Sequence, residues 1–202
     1  MVDHARASTR SFNPPVVEVL GVDPSLTSTG VALISGESIT AGVICSKGGR
    51  GDPLPMRVAR LDGLLDGVRP WVRPGALVVI EGPSFGSVGG SAWDRAGLWH
   101  RIVTLCYELG CEVATVAPMT RAKWATGSGK SDKAAVAVAI SRLAPEVQLE
   151  ASDSADALGM ALMGAQAIGL RPQSKARAAC LEKVAWPESV RGNLLAHLAA
   201  SA

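Results

Sequence analysis

The chain has 202 residues, enough to bury one full hydrophobic core and too few to imply two domains. Apolar residues make up 48%, charged residues 19% and aromatic residues 4%, which excludes disorder throughout and points to a core of Val, Ala and Leu rather than rings. The formal charge of +2 is nearly neutral, so a polyanionic partner has to be met by a local basic patch. No apolar run is long enough to cross a bilayer, and the first residues lack the apolar centre of a signal peptide, so a soluble, cytoplasmic protein with no membrane partner is expected. Cys45, Cys106, Cys111 and Cys180 form no Cys-x-x-Cys pair and have no histidine at zinc-site spacing, which fits reduced structural thiols.

Residues 1–15 carry scattered charge and the pair Pro14-Pro15 without apolar periodicity, and read as a mobile arm. Residues 16–23, VVEVLGVD, suit a strand covered on both faces that delivers Asp23 to a turn built from Pro24, Ser25 and residues 27–30. Residues 31–34 and 38–44 are two strand-like runs around the turn Ser35-Gly36-Glu37, so three antiparallel strands follow one another. Leu54, Val58, Leu61, Leu65 and Val68 then recur at helical spacing, with a stop near Arg69-Pro70. Residues 76–80 form a second buried strand running into Glu81. A crossover through the intervening helix lays it parallel to the first strand, so Asp23 and Glu81 emerge at the same sheet edge.

The loop at 84–90 is flexible by composition, and Trp93, Ala96, Trp99, Ile102, Val103 and Cys106 mark a longer helix to about residue 109. Residues 113–117 are a further strand, closed by Pro118. A basic stretch follows, with Arg121, Lys123, Lys130 and Lys133 around Trp124 and the loop Thr126-Gly127-Ser128-Gly129. The letters GSGKS invite a nucleotide-loop reading, but that motif needs glycine where Trp124 stands. A glycine loop leading into a helix near Ser131 or Asp132 still offers backbone donors and two ammonium groups to a phosphate; the plain alternative is a solvated basic loop. One more helix runs to Pro145. The last core helix starts around Asp153 and Asp156, three apart and therefore on one face, where either acid also serves the helix dipole. The tail turns basic again at Arg171, Lys175, Arg177 and Lys183, and Leu194, Leu195 and Leu198 suggest a short terminal helix.

Four acids thus stand at element ends that one topology can bring together. Four segments, LGVDPSLTSTGVAL, ALVVIEGPSF, ATGSGKSDKAAV and DSADALGMAL, in this order, resemble the motifs of the RuvC family of Holliday junction resolvases, within the RNase H-like nuclease fold. The resemblance covers residues 16–169. It implies an α/β, RNase H-like fold with a mixed five-stranded sheet, three antiparallel strands then two parallel, flanked by helices. It also implies that Asp23, Glu81, Asp153 and Asp156 bind two Mg²⁺ ions, with Mn²⁺ as a substitute, and that Lys133, or Lys130 as the alternative match, faces the scissile phosphate.

Further implications are a homodimer that cuts two strands of four-way or branched DNA symmetrically in recombination and repair, and a DNA-entering aromatic at Phe85. Arg121 and Lys123, with Arg95, Arg101 and Arg142, are expected to hold phosphates outside the cut site, ordinary surface charge being the plain alternative. The domain reading is an arm at 1–15, a nuclease domain at 16–169 and a basic, helical extension at 170–202, open to covering the core, touching DNA or joining a dimer. Rival readings are a nuclease on forks and other branched DNA, a non-cleaving junction-binding relative, an RNase H acting on hybrids, and a sugar kinase or actin-like ATPase. The last would need a second glycine-rich phosphate hairpin and a longer chain. Bacterial and phage origins stay open.

Overall fold

The pleat of an extended chain sends successive side chains of the central strands to opposite faces of one sheet, and here both faces are apolar. In β1 (Glu18–Asp23) Val19 enters one core and Leu20 and Val22 the other; in β4 (Leu77–Glu81) Leu77 and Val79 separate from Val78 and Ile80 in the same way. The computed structural model describes residues 18–49, 51–83, 91–172, 174–192 and 194. The expected arm at 1–15, the loop at 84–90 with Phe85, and Leu195 and Leu198 lie outside the described residues.

The five strands are ordered β3-β2-β1-β4-β5, with β2 (Ser28–Ser35) and β3 (Ser38–Cys45) antiparallel to their neighbours and β4 and β5 (Glu112–Val116) parallel. This is the mixed α/β sheet expected. The first turn is tighter than expected, because β2 already begins at Ser28. Thr29, fully buried, donates its hydroxyl to the Ser25 carbonyl at 2.7 Å and accepts from the Ser25 N–H, closing the turn after Asp23.

Helices α1 (Leu54–Val68) and α2 (Ser91–Glu108) cover one face through Leu61, Leu64, Val68, Leu98 and Ile102. Helix α5 (Ser152–Ala167) lies across the other, with every residue from Ser154 to Ala167 buried. Beside α5 pack α3 (Pro118–Thr126) and α4 (Lys133–Leu143). Pro118 does not merely close β5: it occupies the first turn of α3, where its missing N–H costs nothing, and Gly127 ends that helix at φ +87°.

That nine-residue helix stands where the sequence pattern suggests only a basic loop. Its apolar residues Ala122, Trp124 and Ala125 are too few to display a period, although they are buried. Helix α6 (Lys175–Leu181), capped by the Ser174 hydroxyl, is likewise absent from the sequence expectation. Of the three roles open to the tail, the structure displays core cover: Leu181, Val184, Trp186, Val190 and Leu194 join the core under α3 and α5, and Ala185 bridges to Thr115 of β5. All four cysteines are free, and Cys106, Cys111 and Cys180 are buried.

Candidate active site

Asp23 ends β1 and Glu81 ends β4. These strands run parallel, with Val22 beside Ile80 as their last paired residues, so both carboxylates leave the sheet at the same edge, as expected. The other two acids arrive on α5, whose approach is set by two strand glycines. A side chain at Gly30 would place its Cβ 2.0 Å from the Asp153 carbonyl oxygen, and one at Gly21 would stand 1.9 Å from that of Ala157. Only glycine lets the helix backbone lie directly on β1 and β2. The first turn of α5 is thereby pressed against the end of β1. Carboxylate oxygens of Asp23, Asp153 and Asp156 converge within 4.8 Å of one another.

Two cations meet these acids from the next layer. Arg121 of α3 places Nη1 3.1 Å from Glu81 Oε2 and 3.1 Å from Asp156 Oδ2. Lys133 opens α4 behind the Asp132 cap, whose carboxylate accepts from the Ala135 N–H at 2.8 Å, and its Nζ donates to Asp153 Oδ1 at 3.2 Å. Together these groups line an open cavity of about 420 Å³.

Arg121 departs from expectation. It is 7% exposed and sits among the carboxylates, not on the surface outside the cut site. Nothing local in the sequence distinguishes it from Lys123, which is exposed two residues on and lines a separate hollow with Thr126, Gly127 and Arg177. Lys130 makes no ion pair among the described residues, so of the two lysines matched to the phosphate position only Lys133 reaches the acids. Phe85 lies outside the described residues.

Burial acts strongly on the acids. It raises the Asp23 carboxyl from its ordinary value to about 7, with the charge of Glu81 adding to the effect. Burial also raises Glu81 and Asp156, against the lowering pull of Arg121. For Lys133, burial pulls downward, but the hydrogen bond to Asp153 and the charges of Asp153, Asp156 and Asp23 outweigh it and hold the ammonium above the usual lysine range. Carboxylates forced together in a dry place hold their charge at a cost, and a hard cation relieves it. The donor set suits one: three oxygen ligands within reach of a common centre, without His or Cys.

No protein-family model matches the chain. Among curated proteins, it is 32% identical to the crossover junction endodeoxyribonuclease RuvC of Frankia casuarinae, over 72% of this chain and 87% of the relative. The RuvC of Zymomonas mobilis is also 32% identical, over 71% of this chain and 87% of its own length. Two solved structures share the fold. Thermus thermophilus RuvC superposes with a TM-score of 0.55 at 23% identity, covering 73% of this chain and 93% of that one. The same protein in complex with a Holliday junction substrate gives 0.58 at 22% identity, covering 74% and 93%. With relatives above 30% identity matched along most of their own length, the chain belongs to the RuvC family of crossover junction endodeoxyribonucleases.

Proposed function

We propose that this protein is a structure-selective endonuclease that resolves four-way DNA junctions by Mg²⁺-dependent phosphodiester hydrolysis, cutting two strands as a homodimer. The observation that carries this reading is the convergence of Asp23, Asp153 and Asp156 beside Glu81 and Lys133, in a chain whose curated relatives are named crossover junction endodeoxyribonucleases. One solved neighbour holds a Holliday junction substrate. A junction with two-fold symmetry is cut symmetrically by a two-fold protein, which is the physical reason for pairing two such sites.

A hard divalent cation at this site supplies charge neutralisation at the attacked phosphate and readies a water for attack at neutral pH. Asp23, Asp153 and Asp156 hold that cation, their positions set by the end of β1 and the first turn of α5. Glu81, at the end of the adjacent strand, completes the acid rim. Lys133 has a side chain 66% exposed at the cavity mouth, so it can turn its ammonium from Asp153 to an incoming phosphate oxygen. Lys123 and Lys130 contribute affinity for the DNA backbone that falls with salt.

The test is cleavage of a synthetic four-way junction, beside a linear duplex, a fork and an RNA–DNA hybrid, with Mg²⁺ and with chelator. Wild type should give paired, metal-dependent cuts in the junction. Asp23→Asn should lower the rate by about a thousandfold or more while junction binding persists, since the phosphate contacts are untouched. Cleavage retained by Asp23→Asn would remove the metal-site reading. Equal cutting of fork and junction would broaden the substrate class.

A further inference from the structure

Arg121 is a permanent cation in a place where metal-dependent hydrolysis implies metal ions, and the surroundings hold it there. Its α3 neighbour Trp124, 2% exposed, donates its indole N–H to Gln166 Oε1 of α5 at 3.0 Å, which pins α3 against the core helix. The Arg121 stem packs beside Gly159 of α5, where an added Cβ would make ordinary contact with Arg121 Cγ at 3.7 Å. The guanidinium therefore reaches the acid cluster from α3.

Its contacts are ionic more than directional. Arg121 Nη1 lies 3.1 Å from oxygens of both Glu81 and Asp156, yet Nη1, Nε and Glu81 Oε2 are buried without an aligned hydrogen bond. Glu81 also stands outside the triad of acids whose oxygens converge on a common centre. Among the described residues, four carboxylates thus face two side-chain cations, Arg121 and Lys133. With all four acids ionised, one divalent ion brings the cluster to neutrality.

We infer that Arg121 is a resident counter-ion for Glu81 and Asp156, so that the DNA-free protein takes one divalent ion, at Asp23, Asp153 and Asp156, while the Glu81 side of the site is closed by Arg121. A second ion at Glu81 would stand beside a buried like charge, and binds only when Arg121 is drawn away. Arg121 is on this account a positioning residue that acts through Glu81. The inference rests on the proposed metal-dependent site and concerns its ion count.

The experiment is a Mn²⁺ titration of the DNA-free full chain, by calorimetry and by loss of the free-ion spin-resonance signal. The wild type is expected to bind one ion per chain, Arg121→Gln to bind two, and Arg121→Lys to return to one, since a general loss of structure would not add a site or be rescued by charge. Two ions of similar affinity in the wild type, or a single ion in folded Arg121→Gln, would overturn the assignment. If Arg121→Gln does not fold, Glu81→Gln decides with the wild type: it should still bind a single ion, and losing that ion would overturn the assignment. No binding by the wild type, or binding unaffected by Asp23→Asn, would instead bring down the metal-site reading on which the inference rests.

Discussion

The two faces of the sheet are packed by different means. Helix α5 meets β1 and β2 backbone to backbone at Gly21 and Gly30 and is buried from Ser154 to its end, so its position is determined by hard contact. On the other face, α1 and α2 stand off on Leu and Ile side chains and keep open surfaces, with Leu54, Met56, Trp93 and Tyr107 exposed. They are bridged to one another by the forked pair of Arg57 with Asp94, at 2.9 and 2.6 Å, and by the Arg101–Asp62 pair, beside the apolar contacts of Leu61, Leu64, Leu98 and Ile102. A cluster of carboxylates needs its members held to a fraction of an ångström, and the close-packed face is the one that carries it. The side-chain-packed face touches the site at one point, where Trp99 of α2 donates its indole N–H to the Glu81 carbonyl at 2.9 Å.

Titration separates the faces most strongly. The folded pKa of Asp23, about 7, lies above its ordinary value, so between the two the folded state holds a proton that the unfolded chain has released. Stability from this group is complete below the unfolded pKa and is lost as pH rises through about 7, a loss of up to about 4 kcal/mol. Asp94 on the other face is held low by its hydrogen bond from Arg57, so its contribution is present above its unfolded pKa and fades only as pH falls below it. Chelated protein should therefore lose urea resistance from about pH 4 to about pH 7, Mg²⁺ should restore it, and Asp23→Asn should flatten the slope. A slope unchanged by Asp23→Asn would place its origin elsewhere.

Gly30→Ala tests the backbone contact itself. The added Cβ has no flexible neighbour to displace, only the Asp153 carbonyl 2.0 Å away, so we expect a loss of about 3 kcal/mol in denaturant unfolding and weaker Mn²⁺ binding as α5 lifts. Stability and binding both unchanged would show that α5 has freedom on this face as well. The smallest effect belongs to the other face. Gly63 is exposed within α1, and a Cβ added there would meet nothing within 4 Å, so Gly63→Ala should raise stability by about 0.5–1 kcal/mol and leave cleavage untouched. A change in the cleavage rate would show that α1 reports to the site.

Much of this arrangement is local chemistry. Short, continuous apolar runs mark β1 and β4, the Leu and Val spacing marks α1, and a parallel crossover brings the acids that end the two strands to one edge, so Asp23 and Glu81 can be placed together from the letters alone. Helices α3 and α6 escape the same reading because nine and seven residues are too short to show a helical period, and their formation depends on burial against α5 and the core. Lys133 is legible as the first residue after an N-cap acid; whether it or Lys130 turns towards the carboxylates is settled by where α4 begins.

Sequence alone therefore determined the central strands, the acids at their ends and, through four motifs in order, the family, because these depend on patterns within a few residues and on their order along the chain. Tertiary structure decided which basic residue is buried and how closely the acids stand. Arg121 and Lys123 are alike as letters, and only the face of α3 that turns to β4 and α5 makes one a partner of Glu81 and Asp156 and leaves the other in water. The closeness of Asp23 to Asp153 and Asp156 comes from two glycines meeting a helix more than a hundred residues away, a contact between backbones that no local pattern encodes.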